Sequence, residues 1–152
     1  MESTFEFKYC HYDNFEQMTA EDRDLVTKAQ AQCQRAVAPY SNFHVGAAAR
    51  LASGAVVYGS NVESEVYPAG ICAERNLLFA AAVSHPNDAV VALAIASVPS
   101  ENECYPCGIC RQILLDTERR QGSPLRVIMS SGKTATVVES ASMLLPFSFS
   151  LE

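Results

Sequence analysis

Ile71-Cys72-Ala73-Glu74-Arg75-Asn76 and Tyr105-Pro106-Cys107-Gly108-Ile109-Cys110-Arg111-Gln112 are the two stretches around which the rest of the chain is organised. The first sets a thiol two residues ahead of a carboxylate. The second adds two thiols one helical turn apart, directly behind a proline. Three sulfurs and one carboxylate at this spacing point to a catalytic zinc, with Cys72, Cys107 and Cys110 as ligands and Glu74 as a general acid/base beside it. Three protein ligands leave the fourth position of a tetrahedral zinc open to water, whereas four close it into a structural site.

Both segments fall where helices are expected to start. The first backbone N–H groups of a helix are unpaired and its dipole favours negative charge there. A thiol at that end loses its proton more readily, and the thiolate is the form that binds metal. In a regular helix, residues two apart project about 200° apart, so Cys72 and Glu74 can share a metal only if it lies beyond the helix end. Glu74 is therefore read as a proton shuttle and not as a ligand. Three thiolates around a dication leave a net charge of about −1, which hydrogen bonds to the sulfurs must offset. Arg75, adjacent to the site, is the candidate donor.

Two other arrangements use the same cysteines. Cys104, Cys107 and Cys110 with Cys72 could close a four-sulfur structural zinc, and Pro106-Cys107-Gly108-Ile109-Cys110 also resembles a thiol-redox pair. The additional Cys-Ala-Glu at another helix start weighs against both. His11, His44 and His85 have no ligand spacing.

The bulk numbers bound the rest. At 152 residues and 49% hydrophobic, residues 1–152 are expected to form a single domain with a proper core. The net charge is −6 and the eleven Lys and Arg are scattered, the wrong balance for gripping a phosphate backbone. A small substrate is expected, and no nucleic-acid polymer. The opening MESTFEFKYC has an early acid and no long apolar run, so neither a signal peptide nor a membrane span is expected there. Six cysteines are too sparse for a disulfide scaffold and suit a reduced, cytoplasmic setting.

Along the chain, residues 1–18 read as an N-terminal arm or edge strand, with Phe5, Phe7 and Tyr9 alternating. Thr19 looks like an N-cap, followed by a helix with Leu25, Ala29, Cys33 and Ala36 on one stripe and Pro39 as its stop. Cys33 on that stripe is expected to be core. Val45–Ala52 and Ala55–Tyr58 read as a hairpin turning at Ser53-Gly54. The segment from Cys72 to Ser84 reads as a buried helix, with Leu77, Leu78, Phe79 and Val83 leaving little polar face. Ala89–Ser97 is a central strand, and Cys107 to Arg120 a helix with Ile109, Ile113 and Leu114 turned inward. Leu125–Met129 and Ala135–Val138 are further strands, and a short helix is expected near Ser140–Met143. The order predicts an α/β fold, a three-layer α/β/α sandwich around one mixed five-stranded sheet.

Cys-x-Glu followed by Pro-Cys-x-x-Cys is the arrangement of the zinc deaminases. With Tyr40-Ser41-x-Phe43-x-Val45-Gly46-Ala47, Asn61-x-Glu63, Tyr67-Pro68-x-Gly70, Arg111-Gln112 and Leu145-Pro146-x-x-Phe149, the chain resembles the small homotetrameric cytidine deaminases acting on free nucleosides. The resemblance runs from about Gln30 to Phe149. It implies the cytidine deaminase fold and one Zn(II) per chain on Cys72, Cys107 and Cys110, with Glu74 as acid/base. It also implies that Asn61 and Glu63 bind the ribose hydroxyls, that Phe43 packs against the base, and that Phe149 stacks over the base from a neighbouring subunit. The implied reaction is hydrolytic deamination of cytidine or 2′-deoxycytidine to the uridine counterpart plus ammonia, as in pyrimidine salvage. The chain departs from the family pattern at Ser64-Glu65, where Asn-Ala is usual, and at Asn76, where threonine is common. The first departure keeps open a modified aminopyrimidine nucleoside, such as a blasticidin-type antibiotic, as the substrate.

Overall fold

Six strands hydrogen-bond into one mixed sheet in the computed structural model, which describes residues 1–151. They are β1 (Cys10–Tyr12), β2 (His44–Leu51), β3 (Val56–Ser60), β4 (Val90–Val98), β5 (Arg126–Ser130) and β6 (Ala135–Val138), in the spatial order β1-β6-β5-β4-β2-β3. Only β4 and β5 run parallel. The sequence reading counts five strands, and the sixth is β1. It lies inside the segment read as arm or edge strand and pairs with β6, Cys10 opposite Val137. Three residues are too few for alternation to mark a strand, so the free edge of β6 decides its pairing.

The helices α1 (Ala20–Gln32), α2 (Ala73–Ser84) and α3 (Gly108–Gln121) complete the three layers. The period of two along β4 divides the core. Ala92, Ala94 and Ala96 pack with Leu25, Val26 and Ala29 of α1. Leu93 and Ile95 pack on the opposite side with Leu77 and Leu78 of α2 and Leu114 of α3. Small residues let α1 lie close to the sheet, and larger ones fill the space beneath the helix pair.

Thr19 caps α1 as expected, its hydroxyl accepting the Asp22 N–H at 3.2 Å. Cys33 is core, 1% exposed. The helix ends before Pro39, however, giving way to a 3-10 turn at Cys33–Arg35. The Ser60 hydroxyl donates to the Gln32 carbonyl at 2.7 Å, satisfying an end group from outside the helix.

Two burial expectations are corrected. On α2, Phe79 is 48% and Val83 84% exposed, and on α3 Ile109 is 61% exposed. Both helices form an outer layer, so the sheet covers only the stripe holding Ala73, Leu77, Leu78 and Ala81 on α2 and Cys110, Leu114 and Leu115 on α3. An all-round apolar helix sequence does not say which part of its circumference the sheet reaches.

At Gly59, β3 and the start of α2 meet with no room to spare. A Cβ there would lie 2.4 Å from the Ala73 carbonyl oxygen and 2.8 Å from the Leu77 amide nitrogen. Gly59→Ala should therefore lower stability by about 1–3 kcal/mol, the usual cost of overpacking, read as a drop in urea midpoint. An unchanged midpoint would mean that α2 is free to slide on β3.

Candidate active site

Cys72 is the N-cap of α2 and Cys107 the N-cap of α3, both with extended backbone (φ −72°, ψ 156° and φ −65°, ψ 168°). Because Cys72 stands outside the helix, the helical angle between it and Glu74 does not apply, and both side chains can face the same centre. Cys110 follows in the first turn of α3 and is fully buried. The three sulfurs lie within 4.8 Å of one another, with Cys72 and Cys107 Sγ 3.9 Å apart. Soft sulfur donors gathered at two helix N-termini suit a thiophilic dication such as zinc. Cys104 is outside this cluster. Its amide donates to the Ser130 carbonyl at 3.0 Å, its side chain packs against the core, and burial pushes its thiol up to about 12.

Arg75 donates from Nη2 to the Cys72 sulfur at 3.7 Å, the contact expected of it. Its Nε is buried with no partner. The Cys72 thiol is held down to about 5, first by the hydrogen bond from Cys110 and then by Arg75 and Cys107, against the opposing effect of burial. Cys110 moves the other way, because it donates to Cys72 and is itself buried. Negative charge in the pair is thus favoured on Cys72 over Cys110.

Glu74 is 3% exposed. Burial, reinforced by the neighbouring Cys72 thiolate, pushes its carboxyl up to about 7, although its own backbone N–H, Cys110 and Arg75 pull it back in part. A carboxyl with that affinity gains and loses a proton near neutral pH, as a general acid/base must.

A pocket of about 500 Å³ opens beside Cys72 and Arg75 and is walled by Tyr40, Asn61, Glu63 and Tyr67. Residues 61–63 are tied on one side to Val37 and on the other to Ile71, next to Cys72. Asn61 and Glu63 thus reach the pocket as expected, but both are already engaged with the loop opposite. Asn61 Oδ1 accepts the Val45 N–H at 2.7 Å, and its Nδ2 donates to the Phe43 carbonyl at 2.9 Å. Glu63 Oε1 accepts the N–H groups of Tyr40 and Ser41 at 3.0 and 3.1 Å, and Oε2 accepts the Ser41 hydroxyl at 2.5 Å.

Phe43 and Phe149 are not among the residues lining this pocket. Phe43 is 41% exposed on the loop. Phe149, 68% exposed, lies along α3, where its carbonyl accepts from Gln112 Nε2 at 3.2 Å and Arg119 Nη1 at 3.0 Å. Glu65 is exposed, whereas Ser64 faces the pocket and accepts the Val66 N–H at 3.1 Å. Asn76 donates to the Ser60 carbonyl at 2.9 Å and so fastens α2 to the end of β3. Sequence reasoning passed over that bond and the Ser41 bonds, because serine and asparagine have many partners within reach in any chain.

The profile of the cytidine and deoxycytidylate deaminase zinc-binding region matches residues 19–121. A cytidine deaminase of Sporosarcina psychrophila is 34% identical over 128 residues, 84% of this chain and 90% of that protein. One from Halalkalibacterium halodurans is 38% identical over 96 residues, 62% of this chain and 71% of the other. Among solved structures, the cytidine deaminase of Burkholderia pseudomallei superposes with a TM-score of 0.74 at 36% identity, covering 87% of this chain and 100% of that one. With Sporosarcina and Burkholderia proteins matched nearly end to end, the chain belongs to the cytidine and deoxycytidylate deaminase family.

The Cys72 environment has a measurable consequence. A thiol lowered to about 5 is ionised above that pH, so iodoacetamide should alkylate Cys72 of the chelator-treated protein down to about pH 5. Bound zinc should block the reaction. Reactivity already lost at pH 7 would contradict the hydrogen bonds drawn to this sulfur.

Proposed function

We propose that the protein hydrolyses the exocyclic amine of cytidine and 2′-deoxycytidine, releasing ammonia and leaving the uridine nucleoside. A buried carboxyl, Glu74, beside three clustered thiols, one of which, Cys72, lines an open pocket, supports this reading above all. Residues 1–152 would act as one domain. Zinc, one per chain on Cys72, Cys107 and Cys110, would supply an activated water and stabilise the charge that builds up in the transition state. Glu74 accepts a proton from the attacking water and passes it to the pyrimidine ring nitrogen. It then takes the second proton, from the hydroxyl now on the ring carbon, and delivers it to the amine, which leaves as ammonia while that carbon becomes the carbonyl. Arg75 draws negative charge from the Cys72 sulfur through its hydrogen bond.

Asn61 and Glu63 read the sugar with what the loop leaves them. A carboxylate has about four acceptor sites, of which Glu63 uses three, and Asn61 keeps one N–H and one lone pair of Oδ1. Two free acceptor positions and one free donor remain, and a single hydroxyl can donate to the Glu63 carboxylate while accepting from Asn61. One sugar hydroxyl already engages both residues, so ribose and deoxyribose should both be accepted. Phe43 would pack against the base, and Phe149 would reach the pocket of a neighbouring copy in a homotetramer. The exposed Phe79, Val83, Ile109 and Phe147 support an oligomer. No helix among the described residues is long and apolar enough to cross a membrane. The six cysteines are free, which fits the reducing cytoplasm.

Purified zinc-loaded protein should remove the ultraviolet absorbance of cytidine, with kcat/KM for deoxycytidine within about tenfold, ~1.4 kcal/mol. No turnover of either nucleoside would overturn the proposal. Glu74→Gln should keep its zinc but lose about 10²–10⁴ in kcat, the usual worth of a positioned acid/base. Near-normal turnover would remove Glu74 from the mechanism. Cys104→Ser should retain zinc and activity, and metal loss there would point to a closed four-sulfur site.

A further inference from the structure

We propose that Ser41 is a positioning residue that fixes the Glu63 carboxylate at the pocket wall and locks the 40–45 loop around it. The inference rests on the reading of Glu63 as a sugar-binding residue.

Ser41 makes three of the bonds in this wall. Its amide donates to Glu63 Oε1 at 3.1 Å, its hydroxyl donates to Oε2 at 2.5 Å, and its Oγ accepts the Phe43 N–H at 3.0 Å. The Phe43 carbonyl in turn accepts from Asn61 Nδ2 at 2.9 Å. One short circuit therefore runs from Glu63 through Ser41 and Phe43 to Asn61, and it closes through residues 61–63 of the chain. Both side chains read as binding the sugar are members of it.

The circuit bridges a backbone that would not hold its shape unaided. Asn42, between Ser41 and Phe43, sits at φ 55° in the left-handed region, which asparagine tolerates but does not prefer. Its amide bonds to the Ala38 carbonyl at 3.1 Å, so the loop is tied back on one side and to Glu63 on the other. Tyr40, Ser41 and Glu63 are exposed or only partly buried, with no core packing around them to set the rotamer of the carboxylate. Hydrogen bonds alone fix its direction. The Ser41 hydroxyl is also the largest influence holding the Glu63 carboxyl below the usual carboxylate range, so it keeps this acceptor ionised as well as aimed.

Removing the hydroxyl should free the carboxylate to rotate while leaving the zinc cluster and Glu74 untouched. Zinc-loaded Ser41→Ala should raise KM for cytidine by about tenfold and weaken uridine binding, measured by calorimetry, by a similar factor, with kcat held within about twofold. Ser41→Thr, which keeps the hydroxyl, should restore both. In a Glu63→Gln background, where the charged acceptor is already gone, adding Ser41→Ala should change KM by less than about twofold, because the two residues act as one unit. The inference is overturned if Ser41→Ala leaves KM unchanged, if it lowers kcat instead, or if its effect is as large in the Glu63→Gln background as in the parent. If Glu63→Gln alone leaves KM and uridine binding unchanged, the sugar-binding reading of Glu63 fails, and the role of Ser41 falls with it. Loss of cytidine turnover by the parent protein would be a failure of the reaction assignment, seen before any variant is made.

Discussion

Two helix N-termini converging on one point are the constraint from which the rest of the site follows. Cys72 ends the extended segment that leads into α2, and Cys107 ends the one that leads into α3. Each stands at a helix N-terminus, where backbone N–H groups are unpaired and the dipole favours a bound group of negative charge. Their sulfurs come to 3.9 Å, and the first turn of α3 adds Cys110 from the buried side. The first turn of α2 adds Glu74. A carboxyl so deeply buried beside a thiolate cannot shed its proton at the ordinary pH, and this makes it useful near neutrality.

The sheet makes the convergence possible. Both helices rest on the face formed by Ala47, Ala49, Leu93, Ile95, Val127 and Met129, while alanines at 48, 92, 94 and 96 accept α1 behind it. Gly59 allows the start of α2 to touch β3 backbone to backbone, and Asn76 fixes its height against Ser60. The end of β3 then runs directly into Asn61 and Glu63. Cys72, Glu74 and the pocket wall are thus set by one packed contact between β3 and α2, and a shift of that contact would move all three relative to the α3 cysteines.

The clustering of Cys72, Cys107 and Cys110, with Glu74 in the same helix start and Arg75 on the Cys72 sulfur, was legible in the sequence because it is local: each lies within a few residues of a helix start whose position the pattern marks. The hairpin, the central strand and the Thr19 cap were legible for the same reason. Strand β1 was legible only as an arm or edge strand somewhere in residues 1–18, since its three residues pair only because β6 offers an open edge. The exposure of Phe79, Val83 and Ile109 was missed because apolar content reports affinity for burial and not which side of a helix the sheet covers. The engagement of Asn61 and Glu63 with the 40–45 loop depends on contacts between segments 16 to 23 residues apart, which no local pattern encodes.

The coordination of the metal decides whether this centre is open or closed. X-ray absorption at the zinc edge of the purified, zinc-loaded protein should show three sulfurs at about 2.3 Å and one oxygen or nitrogen at about 2.0 Å. Four sulfurs with no light-atom ligand would contradict the account, because they would leave no open position beside Glu74 for chemistry.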